Sequence, residues 1–310
     1  MSKLSPALKE LVNAPFSRPG PAKAPIGISK IYERIASEAH SKKLGARPWI
    51  VLSVCHPPPR PSSCTSHKIL TQDQSAATFT LNSPDSLAAL QATASNPSAK
   101  TYKSLAPVPA AELIREVGLK CISFNGIPRS INSLGAFRAS LPQDIQQKLE
   151  TRASRLITPE NLPRRREAGL GLWKSVYDPF DEKLTARLAD SHPDLPVHIH
   201  GSHYAPLLSN PLEADGTPED RGQLADVGRV LTSLVAIACL RAQTGVGPQV
   251  LSHVFGLRKA VDQGIHVREA ESEAEVQGIE WLAGDEGGEW ILRSVDDVVE
   301  AIGSNFAAKL

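Results

Sequence analysis

Apolar side chains recur every three to four residues along most of this chain, which is the spacing of one face of an α-helix. Residues 28–43 show the pattern first, and Gly45 with Pro48 supplies a stop. A second helical region opens at Ser83-Pro84-Asp85, where a capping residue precedes a proline and an acid. From there the pattern predicts helices over 107–124, 129–139, 143–155, 159–175, 181–192, 196–208, 222–243 and 249–261.

The predicted helix over 222–243 is apolar around more of its circumference than the others. A helix of this kind belongs at the centre of a protein, because it leaves no broad face for water. Since one-sided exposure of such a surface is unfavourable, we also expect the chain to form a homo-oligomer, either a dimer or a higher ring.

Regular periodicity is lost between the two helical regions. Residues 54–74 contain three consecutive prolines and follow neither a helical nor a strand period, which predicts a loop or disorder. The cysteines and histidines at positions 55, 56, 64 and 67 could suggest a metal cluster, but the prolines favour an unstructured segment.

These patterns divide the chain into four expected parts. They are an N-terminal helical extension over 1–47, a proline-rich loop over 48–83, a helical domain over 84–264 and a C-terminal tail over 265–310. Within the tail, residues 286–294 predict a short extended segment before a helix over 295–302.

Composition narrows the possible partners. Lys and Arg number 34 against 33 Asp and Glu, so no net field attracts nucleic acid or an anionic membrane. No apolar run approaches the roughly 20 residues that cross a bilayer, and the first residues lack the apolar stretch of a secretory signal. We therefore expect an intracellular protein that binds neither nucleic acid nor membrane.

The last three residues, Ala308-Lys309-Leu310, resemble the Ser-Lys-Leu peroxisomal address with alanine in place of serine. We therefore expect the peroxisomal import receptor as a partner, with the cytoplasm as the alternative location. A mitochondrial location is a further alternative, which the acids at positions 10, 33 and 38 weaken.

One structural unit occurs twice in the helical region. Residues 111–137 and 228–261 each contain an apolar helix, a short glycine-containing break and a second amphipathic helix that begins near a proline. The first unit carries Asn132 after its break, and the second carries His253 and Gly256-Leu257. Both resemble the helix–turn–helix core of the carboxymuconolactone decarboxylase and alkylhydroperoxidase D-like superfamily, over about residues 107–262.

This resemblance implies an all-α fold, namely an alkylhydroperoxidase D-like helical bundle whose two helix–turn–helix units are related by a pseudo-twofold axis. Peroxidatic members resembling alkylhydroperoxidase D carry Cys-x-x-Cys-x-x-x-His, and counting back from His253 places Val246 and Gln249 at the two cysteine positions. Neither residue forms a thiolate, so we expect no thiol peroxidase activity through that motif. Cys121 and Cys239 lie in apolar helices far apart in the sequence, which predicts core residues.

The cysteine-free branch of the superfamily implies proton transfer or decarboxylation on small lactone-type acids, without metal or cofactor. His253 is the candidate base, and Gln249 lies one helical turn before it. Arg229 and Arg258 are candidate clamps for a substrate carboxylate, although each could equally form a surface ion pair. Glu112 is a candidate proton-relay carboxylate, with an intrahelical ion pair as the alternative.

A histidine-rich segment provides the remaining candidates. On an α-helix, His200, His203 and Tyr204 share one face and would line a substrate pocket, whereas His198 points elsewhere. Two imidazoles at this spacing could bind zinc with a third ligand, but no acid occupies the position of an HExxH motif. We expect no metal here, and we include Asn132 of the first unit among the substrate-binding candidates.

Two functions fit these patterns. One is a cofactor-free acid–base enzyme for a small organic acid, and the other is a non-catalytic oligomeric scaffold that has lost the redox site. A mostly apolar pocket reached by His253 would favour the enzyme, whereas a filled core with His253 bonded to backbone would favour the scaffold.

Overall fold

The structure is a computed structural model that describes residues 5–12, 21–53, 78–79, 82–212, 217, 219–243 and 245–307. These residues are predominantly helical and contain no β-strand, which confirms the predicted all-α class. The proline-rich segment at 54–74 and the C-terminal tripeptide at 308–310 lie outside the described residues.

Before residue 150, the described part of the chain contains eight α-helices. They are α1 (Pro6–Val12), α2 (Ile28–Ser41), α3 (Ala46–Ser53), α4 (Pro84–Ala94), α5 (Pro107–Lys120), α6 (Ile122–Asn125), α7 (Ile127–Ser140) and α8 (Gln143–Gln146). Gly126 turns the chain between α6 and α7 with φ 82°, a conformation that glycine adopts without steric cost.

The second half of the described chain contains eight further α-helices and one π-helix. They are α9 (Leu162–Tyr177), α10 (Asp181–Ser191), α11 (Asp194–His198), the π-helix (Ile199–Leu208), α12 (Arg229–Arg241), α13 (Gly247–Asp262), α14 (Ile265–Glu269), α15 (Glu273–Ala283) and α16 (Asp285–Ala307).

Helix α12 forms the centre of the core. All of its residues except Arg241 are buried, and α3, α5, α6, α13, α14 and α16 pack around it. Its apolar surface is thus covered within a single chain, so this helix supplies no argument for self-association, which stays a prediction. Among the described residues, no helix combines the length and apolar character needed to span a membrane.

The core extends across the boundaries expected after residues 47 and 264. Tyr32 of α2 and Trp49 of α3 are buried in the same apolar cluster as α12, together with Val298 of α16. The expectation of a loop from residue 48 was wrong for residues 48–53, because 46–53 form a helix with Trp49 in the core. The predicted extended segment over 286–294 was wrong, since these residues lie in α16, whose apolar face packs on α12 and α15.

The predicted helix over 143–155 is also much shorter than expected. Helix α8 ends at Gln146, and the Glu150 carboxylate accepts hydrogen bonds from the backbone N–H groups of Thr151 and Arg152. A side chain that satisfies backbone donors locally competes with helix formation, which disfavours a helix over the last part of the predicted segment.

Helix α9 and the π-helix pack so closely at residue 169 that a side chain larger than that of glycine does not fit there. A Cβ added at Gly169 would lie 2.5 Å from Cα and from N of Ala205, both backbone atoms that cannot move aside. Gly171, two residues later on the exposed side of α9, has no atom within 4 Å of the equivalent position. The contact at Gly169 sets the distance between two helices that line the candidate site.

We expect Gly169→Ala to destabilise the protein by about 1–3 kcal/mol, because the added methyl group overpacks a backbone contact. The matched variant Gly171→Ala should be neutral or stabilising by up to about 1 kcal/mol, since alanine favours an exposed helix. Urea unfolding followed by circular dichroism measures both, and equal effects of the two substitutions would contradict the close packing.

Candidate functional site

A cavity of about 680 Å³ lies between α6, α9, α10, the π-helix and α13. Its wall is largely apolar and aromatic, with Phe124, Trp173 and Leu208 among its residues. Nine of the side chains that line it carry a hydroxyl, imidazole, amide or guanidinium group: Ser123, Tyr177, Arg187, Ser191, His203, Tyr204, Gln249, Ser252 and His253. The combination of an apolar wall with a few convergent polar groups is typical of a small-molecule site.

Three of these side chains form a directed hydrogen-bond chain. The Tyr204 hydroxyl donates to the Tyr177 hydroxyl over 3.2 Å, and the Tyr177 hydroxyl lies 3.3 Å from Nε2 of His253. Because Tyr177 already accepts from Tyr204, its own proton points to His253, which makes Nε2 the acceptor. The neutral imidazole then carries its proton on Nδ1.

Burial keeps His253 neutral. The residue is 7% exposed, and the loss of water together with the nearby Arg229 charge lowers its pKa to about 3. Burial also raises the pKa of Tyr177, and it raises that of Tyr204 well above the ordinary value for a phenol. The chain therefore consists of two protonated phenols and an unprotonated imidazole nitrogen at neutral pH.

Arg229 lies behind this chain rather than on the cavity wall. Its guanidinium donates to both oxygens of Ser175, to the Ser233 hydroxyl and to the Gly256 carbonyl. Burial lowers its pKa to about 10, so it remains a cation at neutral pH. Because its N–H donors are directed at these groups, Arg229 does not reach the cavity as the carboxylate clamp that the sequence suggested. Its positive charge instead lowers the pKa of His253.

Trp173 joins α9 to the π-helix. Its ring centroid lies 4.2 Å from that of Tyr177, 4.6 Å from that of His200 and 5.0 Å from that of Tyr204. Its indole Nε1 is buried and has no hydrogen-bond partner among the described residues. Since a buried donor without an acceptor is unfavourable, a ligand or water acceptor at this position would stabilise the site.

The π-helix rearranges the histidines relative to the α-helix that the sequence predicted. Hydrogen bonds from residue i to i+5 bring His198 and His203 together, with ring centroids 5.2 Å apart, so His198 does not point elsewhere as expected. His203 faces the cavity and pairs with Ser123 at 3.0 Å, whereas His200 packs against Trp173 outside the lining. Pro206, which has no backbone N–H, lies within this helix.

Three other predicted site residues lie away from the cavity. Glu112 accepts from Arg115 and from the backbone N–H of Glu150, and burial raises the pKa of its carboxyl. Asn132 is exposed on α7. Arg258 pairs with Asp285 at the surface, at 2.5 Å. The structure thus brings together His253, Gln249, His203 and Tyr204, but not these three.

Three cationic side chains line a groove beside the cavity, which we call the cavity mouth. This groove of about 410 Å³ shares Tyr177, Leu184, Arg187 and Ser252 with the cavity wall, and Lys183 and Lys259 also line it. Among the described residues that line the two spaces, none is acidic. The charges of Lys183, Arg187 and Lys259 favour a ligand with an anionic head in this groove.

Tyr177, Trp173 and the three mouth cations were not predicted from the sequence. Trp173 and Tyr177 stand four positions apart on one helix, a spacing that could have indicated an aromatic face. The mouth cations carry no such signal, because their proximity depends on how α10 and α13 each pack against α9.

The two cysteines predicted as core residues are buried, but they are not separated as their sequence distance suggested. Sγ of Cys121 lies 3.4 Å from Sγ of Cys239. Within the part of the chain that the structure describes, no group of three or more potential metal-ligating side chains converges.

We expect stability to fall as the pH drops from about 6.5 toward about 3, because the unfolded chain protonates His253 while the folded chain does not. His253→Gln has no such group to protonate on unfolding. Between pH 7.5 and pH 4.5, wild type should therefore lose about 2 kcal/mol more stability than the variant does. Urea unfolding at several pH values measures the difference. Exposed His40→Gln should show no such difference, and a wild-type curve parallel to that of His253→Gln would contradict a buried neutral imidazole.

The chain matches no protein-family model, no curated protein sequence and no solved structure. The chemistry of the site is therefore inferred from its geometry alone.

Proposed function

We propose that this protein is a cofactor-free acid–base enzyme that performs proton transfer or decarboxylation on a small organic acid. The observation that carries the proposal is the Tyr204–Tyr177–His253 chain, which borders a largely apolar and aromatic cavity. The proposal includes membership in the carboxymuconolactone decarboxylase-like superfamily, with α5–α7 and α12–α13 as the two helix–turn–helix units.

In the proposed reaction, substrate binding replaces the hydrogen bond between Tyr177 and His253. The Tyr177 hydroxyl turns from Nε2 of His253 to the substrate oxygen that gains negative charge. Nε2 of His253 is then available to accept a proton from the substrate, while Tyr204 continues to donate to Tyr177.

The negative charge of a bound substrate raises the pKa of the proposed base, His253. A pKa of about 3 makes His253 a weak base in the resting protein, where Arg229 is the nearest charge that shifts it. A carboxylate or enolate in the cavity adds a negative charge beside the imidazole, which favours the protonated form and raises its pKa toward neutrality. Proton transfer is thereby coupled to binding of an anionic substrate.

The cations at the mouth would orient the substrate within the cavity. Arg187 and Lys183 are exposed on α10, and Lys259 faces them from α13. They would hold a carboxylate head, while the aromatic wall around Trp173 and Phe124 contacts an unsaturated or aromatic body. This division replaces the clamp roles first expected for Arg229 and Arg258.

The scaffold alternative predicts a filled core in which His253 is bonded to backbone. In the structure, Nε2 of His253 instead contacts a tyrosine hydroxyl, and the ring borders an open cavity. These two features favour the enzyme over the scaffold.

The catalytic prediction uses a series of lactones and unsaturated or keto carboxylic acids, with turnover followed by proton uptake and product analysis. For any substrate that is turned over, His253→Ala should lower kcat/KM by about 10²- to 10⁴-fold, because the proton acceptor is removed. Tyr177→Phe should lower kcat more than it raises KM, since its donor acts in the transition state.

Exposed His192→Ala serves as the matched control and should leave the rate unchanged. Full activity of His253→Ala would contradict the proposed base, and the absence of turnover across the whole series would favour the scaffold.

The binding prediction compares benzoate with benzamide, which have the same body and differ in charge. We expect the carboxylate to bind at least about 10-fold more tightly at low salt, and this preference should shrink on Arg187→Gln/Lys183→Gln. Trp173 fluorescence or calorimetry measures it, with exposed Arg129→Gln on α7 as the control. Equal affinity for the two ligands would contradict an anion-selective mouth.

A further inference from the structure

Two cysteines meet where the two long core helices end. Cys121 follows the last residue of α5, and Cys239 lies in the last turn of α12, 118 positions later. Both residues are fully buried, their sulfur atoms are 3.4 Å apart, and both are thiols. This distance is van der Waals contact for two sulfurs, so a bond between them requires only a small approach.

The surrounding hydrogen bonds hold the two chain segments together. The Gln243 side-chain amide donates to the Phe124 carbonyl at 2.9 Å and to the Cys239 carbonyl at 3.1 Å, so one side chain joins the end of α12 to α6. Nδ2 of Asn125 lies 3.7 Å from Sγ of Cys239. The two thiols are thus positioned by the same bonds that fix the helix ends.

The dithiol also lies directly behind the cavity wall. Ser123 and Phe124 line the cavity two and three residues after Cys121, and Leu240 lines it immediately after Cys239. Since both sulfurs are fully buried, a small oxidant reaches them from the cavity only when these wall residues open locally. Cys121 and Cys239 occupy corresponding ends of two long helices, which no sequence motif indicates.

We propose that Cys121 and Cys239 form a redox-active dithiol that a small peroxide converts to a disulfide within the folded protein. One thiol loses its proton and attacks an oxygen of hydrogen peroxide; the O–O bond breaks, a sulfenic acid forms, and the departing hydroxide takes the thiol proton and leaves as water. The second thiol loses its proton and attacks the sulfenic sulfur; the S–S bond forms, and the sulfenic hydroxide leaves with that proton as a second water. Two electrons pass from the two sulfurs to one peroxide, and a small thiol reductant reverses the process.

This chemistry is separate from the proposed acid–base reaction and from the missing Cys-x-x-Cys motif. It consumes one peroxide per chain and stops unless a thiol reductant is supplied. Its structural effect is a covalent tie between the end of α5 and α12, across two of the segments that form the cavity wall.

The test uses the full chain with Cys55→Ser/Cys64→Ser, so that only the buried pair carries thiols. Treatment of the folded protein with hydrogen peroxide should lower the intact mass by two hydrogens and yield a linked peptide containing Cys121 and Cys239, which dithiothreitol should separate. The melting temperature should rise by about 5–10 °C, because the disulfide closes a long loop in the unfolded chain.

Cys121→Ala and Cys239→Ala, verified as folded by circular dichroism, should each abolish the linked peptide and the rise in melting temperature. Failure of the folded parent protein to form the link would overturn the proposal. A link that forms only in denaturant, or between two chains, would overturn it equally, because the proposed step occurs within one native molecule.

Discussion

The rest of the structure depends on the need to bury helix α12 on every side. A helix with apolar residues around its whole circumference has no stable position at a protein surface, so other helices must enclose it. Its neighbours come from distant parts of the chain, including α3 near the N-terminus and α16 near the C-terminus. One hydrophobic core therefore unites segments that the sequence pattern had separated into extension, domain and tail.

The two ends of this buried helix organise the chemistry. At the N-terminal end, the Glu269 carboxylate accepts from the backbone N–H groups of Arg229 and Val230, at 2.6 and 2.9 Å, and so satisfies the positive end of the helix dipole. The Arg229 guanidinium then sets the field felt by the tyrosines and His253. At the C-terminal end, Cys239 meets Cys121 behind the wall of the same cavity.

Helical periodicity was sufficient to predict the all-α class and the central position of the helix within residues 222–243. It did not predict that 199–208 form a π-helix, because the apolar spacing of so short a segment does not separate π-helical from α-helical hydrogen bonding. Since π-helical spacing changes which residues share a face, His198 contacts His203 and His200 contacts Trp173 instead. The cysteine pair and the mouth cations depend on tertiary packing, which no local pattern records.

The ionisation of His253 tests the central claim most directly. In protein labelled with ¹⁵N-histidine, NMR should show His253 neutral, with its proton on Nδ1, down to about pH 5. A saturating aromatic carboxylate should shift its titration toward neutral pH, because the bound anion favours the imidazolium. A His253 that is already protonated near neutral pH without ligand, or whose titration is unchanged by a bound carboxylate, would contradict a base that its anionic substrate activates.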